Sequence, residues 1–183
     1  GPEGPRIRDG SVLPWESISA IADTERSCAV QGGATTPVRR FSQVTGRLCS
    51  MMPTSSAPTI LVAGTRMHRL KHTDPHQDML NRMRAIVRLR RRVLDTSAGV
   101  GYTAIQAARM ADEAVTIEID PAVLEVARKN AWPRPLFSLP NIAQQVGDAY
   151  DVVESYAEGS VSAIIHDPTA MRLTGDLYSA EMC

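Results

Sequence analysis

The stretch VLDTSAGVGYTAIQAA constrains the fold of this chain more than any other part of the sequence. It begins with a short apolar run that ends in Asp95, passes through a loop of small residues with two glycines, and enters a run of helix-forming residues. Glycines let a backbone turn tightly and approach a ligand, and the first N–H groups of a helix are free to bind one. The pattern predicts a strand, a ligand-binding turn and a helix, which is the first unit of a parallel α/β sheet.

Strand and helix patterns alternate from Thr73 onward. Thr73 or Asp74 can cap a helix whose first turn holds Pro75 and which extends to about Leu89. The strands RRVLDT, AVTIEID, IAQQVGD and VSAIIHDP follow, separated by the helices TAIQAARMA, PAVLEVARKNA and AYDVVESY. This alternation predicts an α/β fold, a Rossmann-like parallel sheet with helices on both faces and right-handed crossovers.

The part of the chain before Thr73 has a different pattern and is expected to form a small β segment. ISAIADTERSCAVQGG and VRRFSQVTGRLCSMM alternate apolar with polar residues, and TILVAGTRMHRL is a third candidate strand. The expected organisation is a tag remnant or disordered tail at 1–10, the β segment at 11–70, and the Rossmann-like domain at 71–183.

Composition restricts the partners and the compartment. Lys plus Arg and Asp plus Glu both number 20, so the net charge is zero and no overall field draws the chain to nucleic acid or a membrane. No apolar run reaches the roughly 20 residues of a membrane helix. Cys28, Cys49 and Cys183 form no C-x-x-C pair, which favours free thiols in a reducing compartment. These features predict a cytoplasmic protein.

The carboxyl ends of the first three strands in the alternating region carry the candidate binding groups. Glu118, at the end of the second strand, can accept two hydrogen bonds from ribose hydroxyls, and Asp148, after the third, can accept one from an adenine amino group. The first turn contributes a backbone of small residues, with Asp95, Ser97, Gly99 and Gly101 as its candidate positions. A nucleotide-containing ligand is therefore predicted at this edge of the sheet.

The order VLDTSAGVGYTA, IEIDPAVLEVA, GDA and IIHDP resembles class I S-adenosylmethionine-dependent methyltransferases. It is most similar to an uncharacterised microbial branch with a D-T-C-x-G-L-G-Y-T-A loop and an upstream strand like ILVAGTRMHRLKHTDP, so the likeness covers most of the chain from about Ser11. The resemblance implies S-adenosyl-L-methionine as cofactor and S-adenosyl-L-homocysteine as product. It also implies that the protein methylates a small molecule or an amine.

The resemblance implies which of the matching residues contact each part of the cofactor. It gives the methionine part to Asp95 and the backbone of Ser97 to Gly101, the ribose to Glu118, and the adenine to Asp148. Ser97 stands where the family has glycine or cysteine, and a serine is small enough for binding to survive. The expected cofactor site is completed by the neighbouring residues Tyr102, Ile119 and Ala149.

The fourth strand ends in His166 and Asp167, where the reactive methyl group is expected to point. The acid–proline pair partly resembles the D/N-P-P-Y/F loop of amino-directed methyltransferases, although Thr169 and Ala170 replace the second proline and the aromatic residue. Asp167, with His166, is the candidate to accept or orient the proton of an amine. An equally weighted interpretation is that Asp167 caps the turn and His166 packs at the strand end.

Two other functions stay open. The segment GDLYSAEMC resembles the spermidine synthase group, in which an aspartate positions an attacking amine and an aminopropyl group is transferred, although the loop lacks the G-G-G-D-G of that group. The other alternative is a non-catalytic S-adenosylmethionine-binding subunit. A dinucleotide is disfavoured because the loop lacks the third glycine of G-x-G-x-x-G.

A chain that ends at Cys183 is expected to lack the last strands of the methyltransferase fold and to leave its fourth strand, Ser162 to Ile165, at an edge. Pairing across that edge predicts a homo-oligomer or a partner chain. The other expected partner is a small-molecule substrate.

Two conspicuous clusters are interpreted as structural. The arginine-rich run from Arg82 to Arg92 has no interleaved aromatic residues, so it is expected to solvate a helix end; nucleic acid is not an expected partner of the chain, and any such binding would have to be local. His68, His72 and His76 are spaced by four, but Pro75 interrupts any common helix, so no metal site is expected.

Overall fold

A computed structural model describes residues 1–24, 26–86 and 89–168. Its helices are α1 (Trp15–Ala22), α2 (Pro75–Arg84), α3 (Tyr102–Ala108), α4 (Pro121–Arg128) and α5 (Ala149–Glu154), with a 3₁₀ turn at Arg134–Phe137. Its strands are β1 (Cys28–Gln31), β2 (Ala34–Pro37), β3 (Arg39–Phe41), β4 (Leu48–Met52), β5 (Thr59–Val62), β6 (Thr65–Arg66), β7 (Arg92–Asp95), β8 (Glu113–Glu118), β9 (Ile142–Val146) and β10 (Ala163–Ile165).

The second half of the chain forms a four-stranded parallel sheet in the order β10-β7-β8-β9. Every residue of β8 from Ala114 to Glu118 is buried. Since successive side chains of a strand point to opposite faces, this burial requires cover on both faces of the sheet. The predicted α/β fold with a Rossmann-like parallel sheet is confirmed.

The small N-terminal β segment is also present. It consists of the antiparallel sheet β3-β4-β5-β6 and the separate hairpin β1-β2. Residues 1–10 contribute one isolated bridge, between Arg6 and Val12. The domain boundaries at 10 and 70 stay predictions.

The strand expected in ISAIADTERSCAVQGG is wrong in its first half, because Trp15–Ala22 is helical. Trp15, Ile18 and Ala22 recur at helical spacing, and Pro14 comes directly before the first turn. This helical period over eight residues prevails over a short alternation of small residues. The expected strand character is found in the second half, at Cys28–Gln31.

Helix α2 begins as predicted but ends earlier than expected. The carboxylate of Asp74 accepts hydrogen bonds from the backbone N–H groups of His76 and Gln77, which caps the first turn. At the other end, the N–H groups of Ala85 and Ile86 bond three residues back, to Arg82 and Met83. Bonds of this 3₁₀ type close the last turn at Arg84 instead of Leu89.

A shared apolar core joins the N-terminal sheet to the parallel sheet and its helices. Cys49, Met51, Ile60 and Val62 of the first belong to one buried cluster with residues of the second, including Met79, Met83, Val93, Val100, Val123 and Val126. Polar contacts reinforce this core. The Thr45 hydroxyl donates to Asp120 Oδ2 at 2.7 Å, while Asp120 Oδ1 caps α4 through the Ala122 N–H.

The Tyr102 hydroxyl is the most central polar link between the two parts. It donates to the Pro58 carbonyl at 2.8 Å and accepts from Asn130 Nδ2 at 3.2 Å. Burial raises the pKa of this phenol to about 12, so the hydroxyl keeps its proton and acts as a donor over the physiological range.

Tyr102→Phe should therefore destabilise the protein by about 1 to 3 kcal/mol, because it leaves the Pro58 carbonyl and the Asn130 amide without this partner. Denaturant unfolding measures the change. Tyr150→Phe, which removes a hydroxyl from helix α5, is the matched control and should stay within about 0.5 kcal/mol of the parent. Equal stability of the two variants would contradict a linking role for Tyr102.

Candidate functional site

The turn after β7 has a backbone that favours glycine at two positions. Gly99 has φ 52° and Gly101 has φ 77°, both in the left-handed region. A Cβ on Gly101 would also overlap the side chain of Leu136. The loop therefore turns tightly, and its backbone lies at the edge of the sheet where helix α3 begins.

Asp95 lies at the end of β7 and is only 1% exposed. Its Oδ2 accepts a hydrogen bond from the Thr116 hydroxyl at 2.9 Å, which ties β7 to β8. Burial raises the pKa of Asp95 to about 7, because the low-dielectric surroundings disfavour the carboxylate more than the hydrogen bond from Thr116 favours it.

Glu118 lies at the end of the neighbouring strand and holds the glycine loop. Its Oε2 accepts from the Gly99 N–H at 2.9 Å, and its Oε1 accepts from the Asp120 N–H at 3.1 Å. The residue is 8% exposed, and burial raises the pKa of its carboxyl to about 7. Two buried acids thus end adjacent strands of the sheet, a combination that is common at binding sites and active sites.

The third predicted loop lies beside the second. The Gly147 N–H donates to the Glu118 carbonyl at 3.0 Å, so the turn after β9 adjoins the end of β8. Asp148 is exposed and caps helix α5 through the Tyr150 N–H at 2.9 Å, while Ala149 is buried. Ile119 leaves 45% of its surface exposed directly after Glu118. These positions are brought together at one edge of the sheet.

Tyr102 differs from the other predicted cofactor residues. Its side chain is buried and its hydroxyl is directed to Pro58 and Asn130. The aromatic ring also lies 5.7 Å from the ring of His68. Its main structural role is therefore the contact with the N-terminal sheet.

The predicted acceptor residues follow β10. His166 Nδ1 lies 2.8 Å from the Thr96 hydroxyl, next to the glycine loop. Asp167 forms an ion pair with Arg82 of helix α2, and Arg82 also pairs with Asp78 at 2.8 Å. Thr169, Ala170 and the GDLYSAEMC segment lie outside the described residues.

A pocket between the glycine loop, helix α2 and Asp167 contains functional candidates that the sequence analysis did not identify. Its lining includes Met67, His68, Asp78 and Arg82 together with Ser97, Gly99 and Asp167. These residues come from four separate parts of the chain. The sequence offers one weak signal for His68, its spacing by four from His72 and His76, but that spacing is interpreted as structural because Pro75 interrupts any common helix.

His68 is held in a defined state. Its Nδ1 lies 2.8 Å from the hydroxyl of Thr59, a residue that is fully buried. Burial lowers the pKa of His68 to about 4, so the imidazole is neutral at physiological pH. A neutral imidazole that lines the pocket is suited to accept or donate a hydrogen bond without adding charge.

Ser97 supplies a further sign that the pocket is built for a ligand. Its hydroxyl oxygen is buried and has no hydrogen-bond partner within the described part of the protein. A buried hydroxyl without a partner costs free energy, and a polar ligand against the loop would satisfy it. The glycine cradle, the unpaired hydroxyl and the two buried acids fit the amino, carboxyl and hydroxyl groups of S-adenosylmethionine.

The raised pKa of Asp95 has a testable consequence for stability. Between about pH 4 and pH 7 the folded protein binds more protons at Asp95 than the unfolded chain does, so rising pH removes stability at this site. Asp95→Asn should gain stability relative to the parent as the pH rises through this window, by at most about 1.4 kcal/mol per pH unit.

Urea unfolding at several pH values measures that difference. Comparison with the parent at each pH cancels the opposite contribution of His68, whose lowered pKa makes stability rise with pH. Asp112→Asn, at an exposed position directly before β8, is the control for the loss of one surface carboxylate. A constant difference for Asp95→Asn would mean that this carboxyl is charged in the folded protein.

Comparisons with known proteins identify proteins that this chain is similar to. The chain is 45% identical over 125 residues to an uncharacterised protein of Methanocaldococcus jannaschii; the match covers 68% of this chain and 43% of that protein. The chain therefore spans less than half of the curated relative. No family model matches the sequence.

No helix in the described part of the protein is both long and apolar enough to cross a membrane.

Two solved structures with the same fold are spermidine synthases. One, determined in complex with the transition state analogue AdoDATO, superposes with a TM-score of 0.64 at 19% identity over 78% of this chain and 50% of its own. The spermidine synthase of Thermotoga maritima gives a TM-score of 0.57 at 20% identity over 69% and 45% of the two chains. Over the matched part, the chain accordingly shares the α/β fold of these two spermidine synthases.

Proposed function

We propose that the protein binds S-adenosyl-L-methionine at the edge formed by the ends of β7, β8 and β9 and transfers its methyl group to a small molecule or an amine. The hydrogen bond between the Gly99 N–H and Glu118 carries this proposal. It places a glycine loop beside a buried acid at the end of the next strand, an arrangement in which folds of this type hold a nucleotide-containing ligand.

Each part of the cofactor has a candidate partner. The methionine part lies against Asp95 and the backbone of the Ser97–Gly101 loop, where the Ser97 hydroxyl gains a partner. The ribose hydroxyls donate to Glu118, whose burial is otherwise unfavourable for a charged carboxyl. Asp148 accepts from the adenine amino group, and Ile119 and Ala149 provide apolar contact.

S-adenosylmethionine supplies a methyl group bound to a positively charged sulfur. The sulfur is a good leaving group when a nucleophile approaches the methyl carbon in line. The contribution of the protein is then mainly to position the acceptor. Asp167, oriented by Arg82, accepts or orients the proton that the amine must lose before its lone pair attacks the methyl carbon. His166 is fixed against Thr96 at the same strand end, and neutral His68 offers a further hydrogen bond from the opposite wall.

Aminopropyl transfer is the second candidate function, favoured by the fold shared with two spermidine synthases. The two functions need different donors, because decarboxylated S-adenosylmethionine lacks the carboxylate that the Ser97–Gly101 loop would hold. A third possibility, a non-catalytic subunit, requires cofactor binding without turnover of any acceptor.

Calorimetric titration with S-adenosylmethionine, S-adenosylhomocysteine and the decarboxylated cofactor tests the proposal. Glu118→Ala should weaken binding of the first two by about 1 to 3 kcal/mol, as expected for the loss of charge-assisted hydrogen bonds. Glu113→Ala is the matched control, since Glu113 begins the same strand and pairs with Arg92 at 2.7 Å, at the strand end opposite Glu118. Unchanged affinity in Glu118→Ala would exclude this site, and a preference for the decarboxylated cofactor would favour aminopropyl transfer.

We also propose that the protein pairs with a second copy or a partner chain through the outer edge of β10. Among the described strands, β10 has a neighbour on one side only, so its other edge presents unpaired backbone groups. Sedimentation velocity at micromolar concentration should show a species larger than a monomer for a homo-oligomer. A monodisperse monomer would contradict the homo-oligomer.

A further inference from the structure

The basic residues of this neutral chain are unevenly distributed. Residues 26–73 contain seven lysines and arginines and no aspartate or glutamate, between Glu25 and Asp74. Residues 74–183 contain fifteen acidic and eleven basic side chains. The sequence 26–73 includes all of β1 to β6, so the N-terminal β structure is a cationic unit attached to a mildly acidic one.

The register of the antiparallel sheet places two of these arginines on one row. Arg39 pairs with Ser50, Ser50 with Leu61, and Leu61 with Arg66, and paired residues have their side chains on the same face. The row crosses four strands and is about 14 Å wide at the usual strand spacing. Arg39 and Arg66 are both exposed and have no ion pair with any described residue.

The same face carries exposed apolar side chains. Phe41 is two residues after Arg39 and pairs with Leu48; they are 54% and 43% exposed. A groove over this face is lined by Arg26 and Arg39 together with Leu48, Ser50 and Leu61. We name the set Arg26, Arg39, Phe41, Leu48 and Arg66 the basic sheet face.

Arg40, the residue after Arg39 in β3, lies on the opposite face of the sheet. Its partner in the register is the buried Cys49, and Arg40 forms an ion pair with Glu125 of helix α4. The arginine that faces the rest of the molecule is thus neutralised. Its neighbour Arg39 keeps its charge on the solvent side.

The charge of this face selects among its possible occupants. A second copy that docked the same face against itself would bring arginines against arginines, because a twofold interface joins identical patches. A polyanion instead gains from every cation on the face and from the counterions that it releases. Phe41 adds a planar surface on which a base can stack beside the Arg39 guanidinium.

From these observations we propose that the basic sheet face binds single-stranded nucleic acid. Its phosphates contact Arg26, Arg39 and Arg66, and one base stacks on Phe41. This surface differs from the run Arg82 to Arg92, where nucleic acid is not expected. Its residues are far apart in the sequence and are brought together by the strand register.

The basic sheet face is separate from the candidate site. The opposite face of the same sheet, which carries Cys49 and Val62, packs into the core shared with the parallel sheet, whereas Arg39 and Arg66 are exposed. The proposal does not depend on methyl transfer, since binding can be measured without cofactor.

Fluorescence anisotropy with labelled twelve-nucleotide oligouridylate and oligodeoxythymidylate, at 50 and 200 mM KCl, tests the proposal. The parent protein should bind with an affinity that falls steeply with salt, and the slope of log K against log salt should be about −2 for three phosphate contacts. Arg39→Ala/Arg66→Ala should weaken binding about tenfold and reduce the slope by about 1.4. Phe41→Ala should weaken binding with less change in slope.

Arg109→Ala/Lys129→Ala is the matched control, because it removes the same charge from exposed positions after α3 and α4. Loss of affinity equal to that of Arg39→Ala/Arg66→Ala would overturn the proposal in favour of non-specific charge. So would the absence of binding at 50 mM KCl. Competition by decaglutamate as strong as that by unlabelled oligonucleotide would instead identify an acidic peptide site.

Discussion

The carboxylate of Glu118 is the contact on which the geometry of the strand ends depends. One oxygen accepts from the Gly99 N–H in the loop after β7, and the other accepts from the Asp120 N–H in the loop after β8. The backbone carbonyl of the same residue accepts from Gly147, after β9. A single residue therefore joins all three loops, and its removal would release the glycine turn as well as a binding group. Glu118 therefore both supports the loops and supplies a binding group, whereas Glu113, at the other end of β8, does neither.

The strand-end part of the site could be predicted from the sequence because its chemistry is local. Each loop directly follows a strand, and parallel strands bring their carboxyl ends to one edge, so Asp95, Gly99, Glu118 and Asp148 follow from order alone. The error at Trp15–Ala22 has a local cause too: small apolar residues such as those of ISAIA satisfy a strand period and a helix period at once, and only the longer window separates them. The start of helix α2 can be predicted because Asp74 supplies a cap, whereas its end cannot, because no capping residue marks it in the sequence.

The opposite wall of the pocket could not be predicted, because its residues meet only in the folded protein. His68 follows β6 and Arg82 lies on α2, and the positions of these elements depend on packing between the two sheets. Tyr102 shows the converse limit. Its place in the loop motif suggested a ligand contact, yet its hydroxyl is used to hold Pro58 and Asn130. A motif fixes the backbone path of a loop more firmly than it fixes the direction of each side chain.

Charge illustrates the same distinction between linear and folded neighbourhoods. The densest run of arginines in the sequence begins at Arg82, and that residue is used internally, since it pairs with Asp78 and Asp167. The arginines of the basic sheet face are scattered over forty residues, yet the strand register places Arg39 and Arg66 on one row. A net charge of zero therefore conceals an uneven distribution of charge, in which residues 26–73 contain only basic charged side chains and Arg39 and Arg66 expose theirs to solvent. Long-range attraction to a polyanion depends on such local separation of charge and not on the total.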